Sequence, residues 1–416
     1  GVLWKTQLTM RKVAGEKSCE EGPSPTKTAA FTLQQIVSVM ILISVGITLL
    51  AFGVLAMTRG NCTSKISARW REIATKCGIA GLASLITVLI AEVLLPFVIV
   101  LEEPTLQYDH LLGFRGRPNL HIQWSREMGD RPRLVTTNSQ GFHDIERTLD
   151  PNPDSYRILF LGDSFLEGYQ VEIEANFSQQ VAGLLLQARH EKSIEALNLG
   201  VHGYGLGTHY LNIRHRIEQW SPDAVVLVLF LGNDLQDNFK PLASFSVPRF
   251  DLLDGSLVFT PAPPHTARIW LRDEVFARSA IARLFWMRVI KSIPAMMEIA
   301  RDAGMVATPD GFANKHHHLQ DMITVAQRLF LGIRNHLLAT DTKLFVYIIP
   351  DPLLVQDIID IRRFNRDFNA AKPMYRKGRQ WIETKTLAIL DSLQVRYAYP
   401  RESFIEQIES GHQIYR

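Results

Sequence analysis

The sequence predicts an α/β fold built on a parallel sheet, preceded by two transmembrane helices. Several short runs are apolar throughout, as expected for strands of a sheet covered on both faces. Ala224–Phe230 is the clearest of them. These runs end at glycine-containing turns and are followed by helical stretches, which is typical of a doubly wound sheet. Near the N-terminus, Phe31–Met57 contains no charged residue.

Length and composition limit the possible functions. The chain has 416 residues, of which 46% are hydrophobic, so it can bury a large core in more than one unit. Its net charge of +3 is mild and gives no ground for binding nucleic acid. All three cysteines, Cys19, Cys62 and Cys77, precede the α/β region, so no disulfide scaffold is implied.

Membrane segments are expected after an N-terminal flank, residues 1–30. Phe31–Met57 and Gly78–Leu101 are each long enough to cross a hydrocarbon layer of about 30 Å. Either run alone fits a buried core helix, but two runs separated by a basic loop favour a two-pass anchor in a lipid bilayer. The second run contains one carboxylate, Glu92. It is either functional or a protonated group that shares hydrogen bonds with Ser or Thr of the first helix, and the second role is favoured for a lone Glu.

The basic loop Thr58–Lys76 sets the expected topology. It carries five basic residues, which is typical of a cytoplasmic loop. The α/β domain is then expected on the extracytoplasmic side. Lys12, Lys17 and Lys27 in the N-terminal flank argue for the opposite orientation.

The first candidate site residue is Ser164. Tyr156–Leu161 is predicted to be a buried strand that ends at Gly162-Asp163-Ser164, with a helix to follow. A serine at such a turn has an exposed hydroxyl and a backbone N–H near a helix N-terminus, where negative charge is favoured. Taken alone, Asp-Ser could also be no more than a helix cap.

Two further strand ends change that balance. Glu195–Leu199 leads into a glycine-rich turn that contains Gly203, and Ala224–Phe230 leads into Gly232-Asn233-Asp234. Glycine allows a backbone N–H to approach a ligand closely, and an Asn amide donates two hydrogen bonds. The N–H groups of Ser164 and Gly203 and the Asn233 amide are therefore expected to converge at the carboxyl ends of the strands.

Ser164, Gly203 and Asn233, in this order and in these contexts, resemble three of the four motif blocks of the SGNH (GDSL-type) hydrolase family. Leu112–Arg115 and Asn138–Asp144 resemble the lead-in of its membrane-linked members, so the resemblance covers about 105–416. It implies a three-layer α/β/α, flavodoxin-like fold. Ser164 would be the nucleophile, and Gly203 and Asn233 would complete an oxyanion hole. No metal or organic cofactor is implied.

The fourth block of the family, Asp-x-x-His, does not occur after Asn233. We therefore expect the chain to be truncated, with the general base beyond Arg416. One substitute is Glu409-Ser-Gly-His412, which has the right spacing but also fits a solvated turn. His202 adjoins Gly203, in a block where the family does not place its base. His316, His317 and His318 fit a solvated loop or helix start better than a metal tract, because no Cys and no regularly spaced carboxylate accompany them.

The resemblance sets the expected domains and functions. Residues 31–101 form the membrane part, 102–154 the lead-in, and 155–416 the hydrolase domain with an insertion at about 237–341. The insertion fits either a lid beside the site or plain core packing. The leading functional hypothesis is a membrane-anchored serine esterase or acylesterase that acts on an ester-bearing glycan, lipid or small molecule. The alternatives are an O-acyltransferase acting on cell-surface carbohydrate and a catalytically inactive membrane-anchored binding module.

Overall fold

The structure is a computed structural model that describes residues 65–99, 104–124, 133–188, 193–240, 247–265, 267–286, 288, 318–364 and 373–412. Contacts divide the described chain into two compact units. The α/β unit contains the described residues of 105–265 and 318–412. The helical unit contains those of 65–104 and 267–288.

The elements are numbered in chain order. The described strands are β1 (Leu106–Asp109), β2 (Gly113–Gly116), β3 (His121–Trp124), β4 (Arg133–Thr136), β5 (Ser155–Leu161), β6 (Ser193–Asn198), β7 (Ala224–Phe230), β8 (Arg249–Leu253), β9 (Ser256–Thr260), β10 (Lys343–Ile349) and β11 (Arg396–Ala398). The described α-helices are α1 (Lys65–Val98), α2 (Ser164–Glu167), α3 (Phe177–Ala188), α4 (Leu206–Arg216), α5 (Ala267–Trp270), α6 (Ala280–Phe285), α7 (Leu319–Ala339), α8 (Pro352–Phe364), α9 (Pro373–Ser392) and α10 (Arg401–Glu409). A π-helical segment, Leu271–Phe276, follows α5.

The centre of the α/β unit is a five-stranded sheet with the order β11-β10-β7-β5-β6. Every neighbouring pair in this sheet is parallel, for example with Phe160 beside Val226. The predicted α/β fold with a parallel sheet is therefore confirmed. Counted along the chain, the strands are arranged 2-1-3-4-5, so the winding direction changes at β5 and β7. In such sheets a ligand crevice opens at this switch point, outside the carboxyl ends of the strands.

Helices cover both faces of the sheet because successive side chains of each strand point to opposite faces. Leu159 and Leu161 belong to one buried cluster, together with apolar residues of α4, α7 and α9. Ile158 and Phe160 belong to a second cluster, together with α3 and with Phe404 of α10. The unit therefore has three layers, helix, sheet and helix.

The expected insertion at 237–341 is divided between the two units. The hairpin β8–β9 and helix α7 belong to the α/β unit. In α7, Leu329, Phe330 and Ile333 are buried in the main core, because apolar residues recur along one face of the helix. This helix is thus a layer of the fold. Residues 267–286 belong to the helical unit instead.

Helix α1 dominates the helical unit. Its Gly78–Val98 stretch is, among the described residues, the one helix long and apolar enough to cross a membrane. Lys65–Lys76 was expected to be loop but is helical, and Lys76 pairs with Glu72 one turn away at 2.7 Å. The first expected span, residues 31–57, lies outside the described residues. Two-pass topology and the side of the α/β unit stay predictions.

A buried arginine joins β5 to its surroundings. The Arg157 guanidinium donates to Glu195 at 2.8 Å, and to the backbone carbonyls of Leu149, Asp150 and Trp220 at 2.6, 3.1 and 3.0 Å. Burying a charge is costly unless it is paired and hydrogen-bonded in this way.

We expect Arg157→Met to lower the free energy of unfolding of the α/β unit by about 3 kcal/mol, because it leaves a carboxylate and three carbonyls without their donor. Urea unfolding at pH 7 measures the loss. Arg396→Met, at an exposed position of β11, is the control and should change the midpoint little. Equal midpoints for the two variants would contradict this structural role.

Candidate functional site

Ser164 is the first residue of α2, directly after β5 and beside the switch point. The Asp163 carboxylate caps α2 by accepting the Phe165 amide at 2.9 Å. Asp163 therefore performs the capping role that the sequence left open. The Ser164 side chain is half-buried, and its hydroxyl makes no hydrogen bond to another described residue.

The turn after β6 packs directly on the turn that carries Ser164. The Asn198 amide donates to the carbonyls of His143 and Leu166, and its oxygen accepts the Gly200 amide at 2.9 Å. A Cβ on Gly200 would lie 2.4 Å from the Glu167 nitrogen, so only glycine fits here. Gly203 follows with a φ of 80°, a conformation that glycine adopts without strain.

Asn233 follows β7, on the other side of β5 from the Gly203 turn. Its amide nitrogen donates to the Asp237 carboxylate, four residues later. One N–H of the amide is used in this way, and an amide NH2 group carries two. The turn is held by Asp234, whose carboxylate accepts the Phe230 amide at 2.8 Å and whose carbonyl accepts the Leu206 amide at 2.9 Å.

Ser164, Gly203 and Asn233 thus follow the carboxyl ends of three neighbouring strands, β5, β6 and β7. This is the edge at which the sequence predicts them to meet. Their roles as nucleophile and oxyanion donors stay predictions.

Three buried carboxyls surround this edge. Burial raises the pKa of Asp163 to about 7, and the Glu167 carboxylate adds to the rise. Burial likewise raises the pKa of Asp237 to about 7, although the hydrogen bond from Asn233 opposes it. Burial and the neighbouring Asp163 hold the pKa of Asp234 well above its usual range. Asp237 is not among the predicted site residues, although its four-residue spacing from Asn233 could have indicated it.

An ion pair that was not predicted connects the turn after β5 with the turn after β6. Both carboxylate oxygens of Glu167 lie 2.9 Å from Nδ1 of His202, and Nε2 of the same ring lies 3.3 Å from the Thr105 hydroxyl. Glu167 is buried, while the His202 side chain is 35% exposed. Burial lowers the pKa of His202, but the Glu167 carboxylate more than offsets this and leaves it raised. The pair holds the Ser164 turn against the residue that precedes Gly203.

The proposed substitute dyad lies at the end of α10. Glu409 and His412 are both exposed, and Nδ1 of His412 lies 2.9 Å from the Ser410 hydroxyl. Within the described chain, none of the contacts of His412 involves Ser164. The dyad stays a prediction.

Of the histidine tract, His316 and His317 lie outside the described residues, and His318 immediately precedes α7. Within the described part of the chain, no group of three or more His, Cys, Asp or Glu side chains is arranged to hold a metal ion.

Comparisons with known proteins give similar solved structures at low identity. No family model and no curated protein matches the chain. A mutant of the esterase AlinE4 covers 64% of this chain and 87% of its own, with 11% identity and a TM-score of 0.33. A catalytic mutant of Axe2, an acetylxylan esterase from Geobacillus stearothermophilus, covers 62% of this chain and 81% of its own, with 12% identity and a TM-score of 0.31. A GDSL-like lipase from Bacteroides thetaiotaomicron VPI-5482 covers 58% of this chain and 66% of its own, with 8% identity and a TM-score of 0.23. Likeness at this level assigns no activity.

We expect His202→Gln to reduce the free energy of unfolding by about 1 kcal/mol between about pH 5 and 6.5. The loss stays small because the ring is partly exposed to solvent. Since the folded-state pKa of His202 is raised, the stabilisation is complete below the unfolded pKa and disappears as pH rises through the folded one. Urea midpoints across this pH range measure it, with the exposed His412→Gln as control. A difference that grows with pH would contradict the ion pair.

We expect Asp237→Asn to flatten the dependence of stability on pH. The raised pKa means that the native state keeps a proton that the unfolded state has released, so wild-type stability falls between about pH 4 and 7. The variant should be more stable than wild type at pH 8, and this advantage should shrink at pH 5. Thermal unfolding at both pH values measures it. The exposed Asp150→Asn is the control and should leave the unfolding temperature unchanged at both pH values. An equal gain in stability at both pH values in Asp237→Asn would exclude the linkage.

Proposed function

We propose that the chain is an ester-cleaving serine hydrolase, an esterase or acylesterase, anchored to a membrane. The observation that carries the proposal is Ser164 at a helix N-terminus beside the switch point, with Gly203 and Asn233 on the turns of the two strands that flank β5. Parallel sheets collect their ligand-binding groups at this position.

The donors around Ser164 suit a developing oxyanion. The Ser164 amide begins α2, and the first N–H groups of a helix have no partner within the helix, so they favour negative charge. Gly203 presents its N–H without a side chain in the way. Asp237 fixes the orientation of the Asn233 amide, so the donor is aligned before substrate arrives, which is the condition for electrostatic catalysis.

In the proposed reaction the Ser164 hydroxyl attacks the ester carbonyl while a histidine base takes its proton. The three donors hold the tetrahedral oxyanion. The alcohol leaves with that proton, and water then releases the acid from the acyl-serine by the same steps. The base stays a prediction, and its candidate within the chain is His412 paired with Glu409.

Two aromatic rings near the nucleophile favour a substrate with an apolar group. Phe165, the residue after Ser164, is 39% exposed, and its ring centre lies 4.5 Å from that of Phe230. An exposed aromatic surface next to a nucleophile favours contact with an acyl chain or with the apolar face of a sugar ring.

The membrane part of the proposal rests on α1. Its Gly78–Val98 stretch buries little surface within the protein and exposes large apolar side chains, including Leu82, Leu89 and Phe97. A length of 21 residues corresponds to about 31 Å of helix, which matches a hydrocarbon layer. In the proposal, α1 anchors the chain in a lipid bilayer, and the α/β unit lies on the extracytoplasmic side.

We expect Asn233→Ala to reduce ester turnover by about 100- to 1000-fold with little change in folding, because one oxyanion donor is lost. Turnover of a chromogenic ester series by the full-length protein measures it. Asn335→Ala, exposed on α7, is the matched control and should keep wild-type turnover. Full activity in Asn233→Ala would show that the site is wrongly assigned.

A fluorophosphonate probe tests the nucleophile directly in the full-length protein. Labelling of wild type, lost in Ser164→Ala, is the expected result. Failure to label a folded wild-type protein would instead favour the inactive binding module. Acyl transfer to an added sugar, in place of release of free acid, would identify an O-acyltransferase that uses the same nucleophile.

A further inference from the structure

The carboxylate of Glu92 makes a contact inside the helical unit that the proposed chemistry does not use. It accepts hydrogen bonds from the Ser279 hydroxyl at 3.1 Å, from the Ala280 amide, and from the Ile281 amide at 3.2 Å. These donors form the N-terminal end of α6. The partners that the sequence favours are Ser or Thr of the first apolar run, residues 31–57, and that run lies outside the described residues. The donors found come from a segment 187 or more residues further along the chain.

The position of Glu92 makes this contact informative. It lies six residues before the end of the apolar Gly78–Val98 stretch, which is about 9 Å along the helix axis. A carboxylate at this depth in a bilayer is costly unless donors surround it. A helix start supplies free N–H groups and the positive end of a dipole. The donors of α6 therefore have to lie at the same depth as the carboxylate.

Apolar packing continues the contact along one face of α1. Ala280 and Leu284 are buried against Leu95 and Ile99. Glu92, Leu95 and Ile99 are spaced by three and four residues, so they share a face. The neighbouring Leu94 is 53% exposed. One face of α1 thus receives the segment, while the adjoining surface remains apolar and bare.

The composition of 267–286 matches the interface of a bilayer. Trp270 is 51% exposed, and Arg278 forms an ion pair with Glu274 at 2.7 Å. Exposed Trp together with charged side chains is typical of the headgroup layer, where one end of a residue is apolar and the other is hydrated.

We infer that residues 267–286 form a membrane-interface element, docked on α1 through Glu92, and that its exposed side contacts lipid. The inference rests on the membrane anchoring in the proposed function and not on the ester chemistry. Its consequence is that the chain reaches the membrane helix twice. The first time, the chain forms α1 itself, before the residues of the α/β unit begin. The second time, it leaves the residues of the α/β unit after 265, and residues 267–286 contact α1.

Disulfide cross-linking tests the docking in membranes that contain the full-length chain. Cys19, Cys62 and Cys77 are first replaced by Ser. The pair Leu95→Cys and Leu284→Cys should then form an intramolecular disulfide on oxidation by copper phenanthroline, detected as a linked peptide by mass spectrometry. The pair Leu94→Cys and Leu284→Cys is the control and should not. Equal yields from the two pairs would overturn the docking.

Glu92→Ala, added to the 95/284 pair, tests the role of the carboxylate. Cross-linking should slow about fivefold, which corresponds to losing the interactions of one helix cap. Glu72→Ala, on the same helix but at an exposed position, should leave the rate unchanged. An unchanged rate in Glu92→Ala would remove Glu92 from the docking.

Lipid contact is tested with a bimane label on Trp270→Cys in vesicles of phosphatidylcholine and phosphatidylglycerol. Lipids that carry a nitroxide near the headgroup should quench it, while a label on the exposed Glu406→Cys of α10 should stay bright. No quenching at position 270 in a chain that resists carbonate extraction would overturn the lipid contact. Release by carbonate would overturn the anchoring, on which the lipid contact depends, and either result leaves the Ser164 labelling experiment untouched.

Discussion

The constraint on which the rest of the α/β unit depends is that helices cover both faces of its parallel sheet. Strand interiors such as Leu159–Leu161 and Val225–Leu229 must then be apolar, because a polar side chain between layers would lack a partner. Polar chemistry is confined to the strand ends. The change in winding direction at β5 and β7 opens the crevice at one particular place, so topology determines which turns can form a site.

Crowding polar groups at that edge has an electrostatic consequence. The turns after β5, β6 and β7 are largely buried, so their polar groups need partners within the protein. Asn198 bonds backbone groups of the neighbouring turns, Glu167 bonds His202, and Asn233 bonds Asp237. Burial raises the pKa values of carboxyls that have too few donors, which favours their neutral forms.

The same constraint explains what the sequence could predict. Ala224–Phe230 is a strand over the expected residues, because a short apolar run between polar turns is typical of a strand buried in a parallel sheet. Apolar residues recur along one face of α7, but such periodicity identifies an apolar face and not the surface that it covers. The contacts of Glu167 with His202, and of Glu92 with α6, span 35 and at least 187 residues. Local pattern contains no information about such pairs.

Asp237 connects stability to the orientation of a site residue. A carboxylate accepts a hydrogen bond more strongly than a neutral carboxyl does. Above pH 7 the ionised Asp237 therefore holds the Asn233 amide more firmly, while the burial of its charge makes the fold less stable. A core selected for stability alone would place an apolar residue here. Retaining a poorly solvated carboxyl beside an amide donor is the pattern expected where alignment of that donor matters more than stability.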